Sequence, residues 1–267
     1  METEVIAFDI YPKKVDVEYR NDSFRPNRVS EAFLKAIPKN LDGLVVDDIG
    51  SGGGVIAIIE ANRGALEVRA VEPADANYKL LVRNIERNVL QDRITAYQGV
   101  FFDPIAHLPR ADLISADVSG IPEILSRALG WYPEGIPTGG PKGTEITCEL
   151  LRRAPKFLKT DGKLYFPTAN DLLDAEEILQ VARDNFKVVE NALWSKDELE
   201  KWKLDSAKSE GKLWKSPEYI WFHLREEDMQ KIDRAYNGAV PKTINIQEIK
   251  GRYFWRGQIY VATQPKI

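Results

Sequence analysis

The segment Asp48-Ile49-Gly50-Ser51-Gly52-Gly53-Gly54 constrains the fold more than any other stretch of this chain. It follows the apolar run Leu44-Val45-Val46 and precedes residues 55–63, which read as a helix. Alternating glycines let a chain turn sharply and leave its backbone open to a ligand. The helix start beyond the turn presents N–H groups with no partner inside the helix. A second stretch, Leu66 to Val71, reads as a strand ending at Glu72, eighteen residues beyond Gly54. A carboxylate there can accept the hydroxyls of a ribose. The two elements imply an adenosine-containing ligand at the switch point of a parallel sheet. The bland alternative is a glycine-rich turn that binds nothing, with Glu72 capping a helix.

Gly52-x-Gly54-x-x-Ala57 also satisfies a dinucleotide pattern, which keeps an NAD-dependent oxidoreductase open. Asp48 tilts the choice. A carboxylate two residues before the first glycine can hold the ammonium of an amino-acid moiety, whereas a pyrophosphate beside it would be repelled. S-adenosylmethionine carries that ammonium. Asp48, Gly50, Ser51, Gly52, Gly54 and Glu72 are therefore the expected cofactor-binding residues.

The rest of the chain continues the alternation of strand and helix. Residues 28–38 read as a helix ended by Pro38, and Asp75 can cap a helix bearing Leu80, Leu81, Ile85 and Val89. Ile94 to Gln98 and Ala111 to Ala116 read as strands. A helix is expected over Thr144 to Leu158, distorted at Pro155. Thr160-Asp161-Gly162 reads as a turn before a strand from Lys163 to Pro167. A helix over Asp171 to Asn185 and a strand over Lys187 to Leu193 follow. This predicts a doubly wound α/β fold with a mostly parallel sheet. Residues 1–40 are expected to be an N-terminal flap and helix, and 41–194 the cofactor-binding core. Residues 195–250 are expected to be an insertion or lid of helices and loops, and 251–267 the final strand of the core.

Composition bounds the function. Hydrophobic residues at 43% and charged residues at 29% suit a globular protein. A net charge of -4 speaks against the basic face that an enzyme of structured RNA usually carries. No apolar run is long enough for a membrane span, and the first residues lack the pattern of a signal peptide. The single cysteine, Cys148, excludes an internal disulfide and fits a cytoplasmic location. His107 and His223 are isolated and make no metal-ligand spacing.

From Asp22 to Phe166 the ordered motifs resemble the class I S-adenosylmethionine-dependent methyltransferases. The nearest branch holds the release-factor glutamine methyltransferases and the small-domain ribosomal RNA guanine methyltransferases. Val46-Asp47-Asp48-Ile49-Gly50-Ser51-Gly52-Gly53-Gly54 matches the glycine motif, and Ala70-Val71-Glu72-Pro73 the ribose motif. Gly139-Gly140, Ala154-Pro155-x-x-Leu158 and Asp161-Gly162-Lys163-Leu164 match later landmarks, and Phe24-Arg25-Pro26 an upstream segment on the substrate side. The resemblance implies a seven-stranded sheet whose seventh strand is antiparallel. It departs at two places. Val100 stands where the branch has an Asp beside the adenine, so Val100 and Phe101 are expected to meet the adenine through main chain and ring. The branch's Asn-Pro-Pro-Tyr is replaced by Asp117-Val118-Ser119-Gly120.

An ionised Asp117 cannot donate a hydrogen bond as Asn does. Asp117 is expected to orient or deprotonate the acceptor, to hold the methionine moiety of the cofactor, or to cap the next helix. Phe24, Ser119, Trp131 and Tyr132 are the expected substrate contacts, Trp131 and Tyr132 by cation–π attraction or simply by packing the loop. The altered acceptor motif and the acidic balance point to methylation of a small polar metabolite by a monomer or homodimer, with nucleic acid disfavoured. The alternatives are a non-methylating enzyme that cyclises the cofactor's aminobutyl chain to a ring amino acid, a protein or RNA methyltransferase, and an NAD-dependent oxidoreductase.

Overall fold

Seven strands in the order β8-β11-β7-β6-β3-β4-β5 form the centre of the molecule. This is seen in a computed structural model that describes residues 3–10, 13–23, 25–194 and 218–266. The chain enters through a hairpin, β1 (Thr3–Ile10) and β2 (Lys13–Arg20), and a helix, α1 (Arg28–Ala36). The alternating core follows: β3 (Val45–Ile49), α2 (Val55–Asn62), β4 (Glu67–Glu72), α3 (Asp75–Arg87), β5 (Ile94–Gln98) and β6 (Ala111–Ser115). Next come α4 (Glu123–Leu129), α5 (Glu145–Arg153), β7 (Leu158–Thr168), α6 (Ala175–Asn185) and β8 (Phe186–Asn191). The last elements are β9 (Ile220–Leu224), α7 (Glu226–Ala235), β10 (Gln247–Ile249) and β11 (Arg252–Pro265).

Strands β3 to β7 pair in parallel, and β11 runs antiparallel between β7 and β8. Helices cover both faces, so β3 and β4 are buried along almost their whole length. Each carries a charge in that dry interior. Asp47 and Arg69 are neighbours in register, and the guanidinium meets the carboxylate at 2.5 Å, so the two charges offset each other's burial. Helix α2 is apolar on every face apart from Glu60 and Asn62, and it is buried over Val55 to Ala61. It approaches α3 so closely that a Cβ on Gly54, whose φ is +88°, would lie 2.6 Å from Leu81. The sheet reverses direction of growth between β3 and β6, and their carboxyl ends open a crevice there.

Several elements differ from their sequence pattern. The helix expected to reach Leu158 ends at Arg153, and Pro155 sits in a short 3-10 turn instead. Thr160-Asp161-Gly162 does not separate two elements; it bulges within β7. Leu158 pairs with Ala111 and Lys163 with Leu113, so residues 159–162 oppose Asp112 alone. The helix expected from Asp171 starts at Ala175, capped by Asp174, whose side chain accepts from the Glu177 N–H. Asp171 is instead drawn away by Arg256, which donates to both its oxygens at 2.7 Å.

The stretch expected as an insertion of helices and loops contributes strands where it is described. β9 and β10 pair with residues 252–257 of β11, and residues 258–265 of the same strand pair with β7 and β8. Residues 195–217 lie outside the described residues. Among the described residues, no helix is long and apolar enough to cross a membrane.

Candidate functional site

At the crevice, a cavity of about 1070 Å³ runs from Glu72 on one side to Trp255 on the other. Its first half is made by the loops after β3, β4 and β5. Glu72 is buried at the end of β4. Its carboxylate accepts from the Gly52 N–H and the Ala74 N–H, both at 2.8 Å, and from the Asn77 side-chain amide at 3.2 Å. Burial pushes its pKa up against the pull of these donors. Gly50, at φ +75°, brings the loop after β3 against the loop after β6: a Cβ there would lie 3.1 Å from Val118.

Val100 is half exposed and lines the cavity, as does Phe101, which is held at φ +51°. That left-handed backbone is costly for a bulky side chain. Arg153, 5.6 Å from the Phe101 ring centre and ion-paired with Asp103, braces it.

Three of the expected cofactor residues lie behind this wall. Ser51 turns its hydroxyl inward, donating to the Asp48 carbonyl at 2.8 Å. Gly54 packs on α3. Asp48 is fully buried: its Oδ1 receives Ser115 at 3.4 Å, while Oδ2 has no hydrogen-bond partner. Burial raises its pKa to about 7, with Ser51 opposing and the nearby charge of Asp117 adding. Glu60, from α2, lies beneath it, fully buried with neither oxygen within hydrogen-bonding geometry of a donor among the described residues, and burial and Asp48 raise its pKa well above the usual range, with Ser115 opposing. The side chain expected to reach the ligand's ammonium thus sits beneath the glycine loop and not among the residues that line the cavity. Strand β3 turns this side chain under the glycine loop, where full burial beside another acid favours its protonated form more than in an exposed aspartate.

The second half of the cavity is built from distant parts of the chain. Asp117 follows β6 and lines the cavity. Its Oδ2 accepts from the Ser30 hydroxyl at 3.0 Å, and burial raises its pKa to about 6. Helix α1 places Ser30 there, and Asn27 fixes the start of that helix by accepting from the Val29 N–H. Ser119 and Tyr132 stand beside Asp117. Burial lifts the Tyr132 phenol to about 12, with the Ser119 hydroxyl opposing and the Asp117 charge adding. Trp131 packs on Trp255 at 5.8 Å between ring centres, and Trp255 stacks on Phe222 at 3.9 Å.

Sequence reasoning singled out Asp117, Ser119, Trp131 and Tyr132, and the structure brings them together on this wall. Asn77, Ser30, Phe222 and Trp255 were missed. Asn77 had a signal, since it sits one turn into the helix after Glu72. The others had none, because nothing local connects them to the crevice. Phe24 lies outside the described residues.

Comparison with known proteins gives the fold. No family model matches the chain. The T. thermophilus 16S rRNA N2 G1207 methyltransferase in complex with AdoMet and guanosine superposes with a TM-score of 0.55 at 17% identity, covering 72% of this chain and 48% of that one. The ribosomal protein L11 methylase from Lactobacillus delbrueckii subsp. bulgaricus superposes at 0.50 and 16% identity, covering 90% and 81%. The fold is that of the class I methyltransferases.

Curated relatives of this chain are methyltransferases too. The Synechocystis release factor glutamine methyltransferase is 32% identical over 124 residues, 43% of this chain and 41% of that protein. The Desulforamulus reducens ribosomal protein L11 methyltransferase is 31% identical over 139 residues, 46% and 44%. The chain spans about half the length of the curated relatives it matches.

These findings correct the expectation of a small polar metabolite and favour the alternative of a protein or RNA methyltransferase. The relatives are named for modifying proteins, and the class I methyltransferase fold also serves a ribosomal RNA enzyme. The expectation that disfavoured a macromolecule relied on net charge and on the altered acceptor motif. Net charge averages the whole surface and does not report on the crevice, and a protein acceptor needs no basic face.

Proposed function

We propose that this protein is an S-adenosylmethionine-dependent methyltransferase whose acceptor is a nitrogen on a protein of the translation apparatus. The observation that carries this reading is the single cavity with Glu72 at one end and Asp117 with its aromatic neighbours at the other. Its volume is at the upper end for small-molecule sites, about 300–1,000 Å³. There is room for a cofactor and an inserted side chain.

The residues fit the cofactor. A carboxylate has about four acceptor sites; three donors hold Glu72, which leaves capacity for a ribose hydroxyl. Gly50 and Gly52 offer bare backbone, and Val100 and Phe101 border the side where the adenine would rest. S-adenosylmethionine supplies an electrophilic methyl group on a sulfonium. The protein's own contribution is alignment and exclusion of water. Ser30 fixes the direction of Asp117, and Trp131, Tyr132 and Trp255 close the far wall. The names of the relatives favour a protein over RNA as acceptor, and a translation protein would put the enzyme in the cytoplasm.

The test is calorimetric titration with S-adenosylhomocysteine, followed by incubation with methyl-labelled S-adenosylmethionine and an extract of the source organism. Saturable binding and label in the protein fraction are expected. Absence of binding, or label confined to RNA, would refute the reading.

A further inference from the structure

Asp117 is a carboxylate on the cavity wall without a cation. Its one hydrogen-bond donor among the described residues is Ser30, and no Lys, Arg or His of those residues pairs with it. Its titratable neighbours, Asp48 and Tyr132, carry no positive charge. The two arginines that line the same cavity are engaged elsewhere. Arg25 pairs with Glu4 at 3.4 Å and lies over Tyr19, and Arg28 donates to the Trp221 carbonyl at 3.1 Å. A partly buried carboxylate in this position attracts a cation from outside.

The wall around it suits one. Tyr132 stands next to Asp117, Trp131 precedes it on the same loop, and Trp255 packs on Trp131. Aromatic faces attract ammonium groups more strongly as water is excluded. A planar amide asks for something different. Its carbonyl needs a donor, and an ionised carboxylate has none to give.

We propose that the wall formed by Asp117, Tyr132, Trp131 and Trp255 binds a cationic amine of the acceptor, a lysine side chain or an N-terminal α-amine, in preference to a planar amide. This rests on the methyltransferase reading of the same cavity. The bound ammonium passes one proton to the Asp117 carboxylate, which becomes the neutral acid. The nitrogen keeps the electron pair of the broken N–H bond and is then free as a nucleophile. Asp117 afterwards releases that proton to solvent. A pKa lifted to about 6 by burial makes this carboxylate a better proton acceptor than an exposed aspartate.

The experiment uses the full chain saturated with S-adenosylhomocysteine and two small ligands of similar size, n-butylammonium and butyramide. Tryptophan fluorescence follows binding, since Trp131 and Trp255 line the site. The expected result is an affinity at least roughly tenfold higher for butylammonium, a preference that Asp117→Asn abolishes. Trp131→Ala, which keeps the charge, should weaken butylammonium by a smaller factor and leave butyramide nearly unchanged. Equal affinities, a preference that survives in Asp117→Asn, or no saturable response to either ligand would overturn the proposal. Loss of S-adenosylhomocysteine binding itself would instead sink the reading on which it rests.

Discussion

The two halves of the cavity are made in different ways. The half around Glu72 comes from one run of chain, residues 48–101, and acts largely through backbone: two N–H groups on the Glu72 carboxylate, and glycines where loops touch. The half around Asp117 draws on residues 30, 117, 132, 222 and 255 and acts through side chains. A backbone-built half can be kept by a short motif whatever the remaining sequence does. A side-chain-built half can change its chemistry with single substitutions while the fold stays the same. The replacement of Asn-Pro-Pro-Tyr by Asp117-Val118-Ser119-Gly120 is a change of that second kind.

The largest expected effect tests this division directly. Glu72→Ala should lower affinity for S-adenosylhomocysteine by roughly 100-fold, because charge-assisted hydrogen bonds contribute about 1.5–3 kcal/mol each. The Gly52 and Ala74 N–H groups also lose their acceptor. Calorimetry reads the loss, and the preference among acceptor ligands should not change. If Asp117→Asn weakened the same ligand as much as Glu72→Ala does, the division into two halves would fail.

A smaller effect is expected where the hairpin meets the first half. Asn84 is fully buried, accepts from the Glu18 N–H at 2.7 Å, and donates to the Glu18 carbonyl at 3.0 Å and the Gly53 carbonyl at 2.8 Å. It fastens β2 to the glycine loop. Asn84→Ala should cost about 2–3 kcal/mol in denaturant unfolding, since it leaves buried backbone groups unpaired. Hydrogen exchange should show β2 opening first. Uniform loss of protection across the sheet would show instead that the hairpin and core unfold as one unit.

The smallest effect concerns the acids under that loop. Burial keeps Glu60 protonated to higher pH in the folded protein than in the unfolded chain. Its contribution to stability is therefore present in acid and lost as pH rises through the raised pKa. Gln is neutral throughout and escapes that loss. Glu60→Gln should raise Tm at about pH 8 and change it little at about pH 5. An equal gain at both pH values would mean that packing, not ionisation, sets the cost.

The strands β3, β4, β5 and β6 were legible because each is a short stretch of apolar or alternating residues bounded by turn residues. The glycine loop and Glu72 were legible because their spacing is itself the constraint. Other expectations failed where a distant partner competed with a local signal. Arg256 takes Asp171 away from the start of α6, and pairing with β6 absorbs Thr160-Asp161-Gly162 into β7. β9 went unread because a strand of this kind exists only beside its partner, here the first half of β11.

The sequence by itself determined the alternating core, the glycine turn and the carboxylate that faces it, because these depend on local backbone freedom and on periodicity. Only the tertiary structure decided which acids reach the cavity. Asp48 and Asp117 both end strands that meet at the crevice, yet one side chain is turned under the loop and the other lines the cavity wall. That outcome follows from the direction of each side chain off its strand and from what α1 and β11 bring across the sheet. No pattern of neighbouring residues encodes those contacts, since the chain must close over itself before they exist.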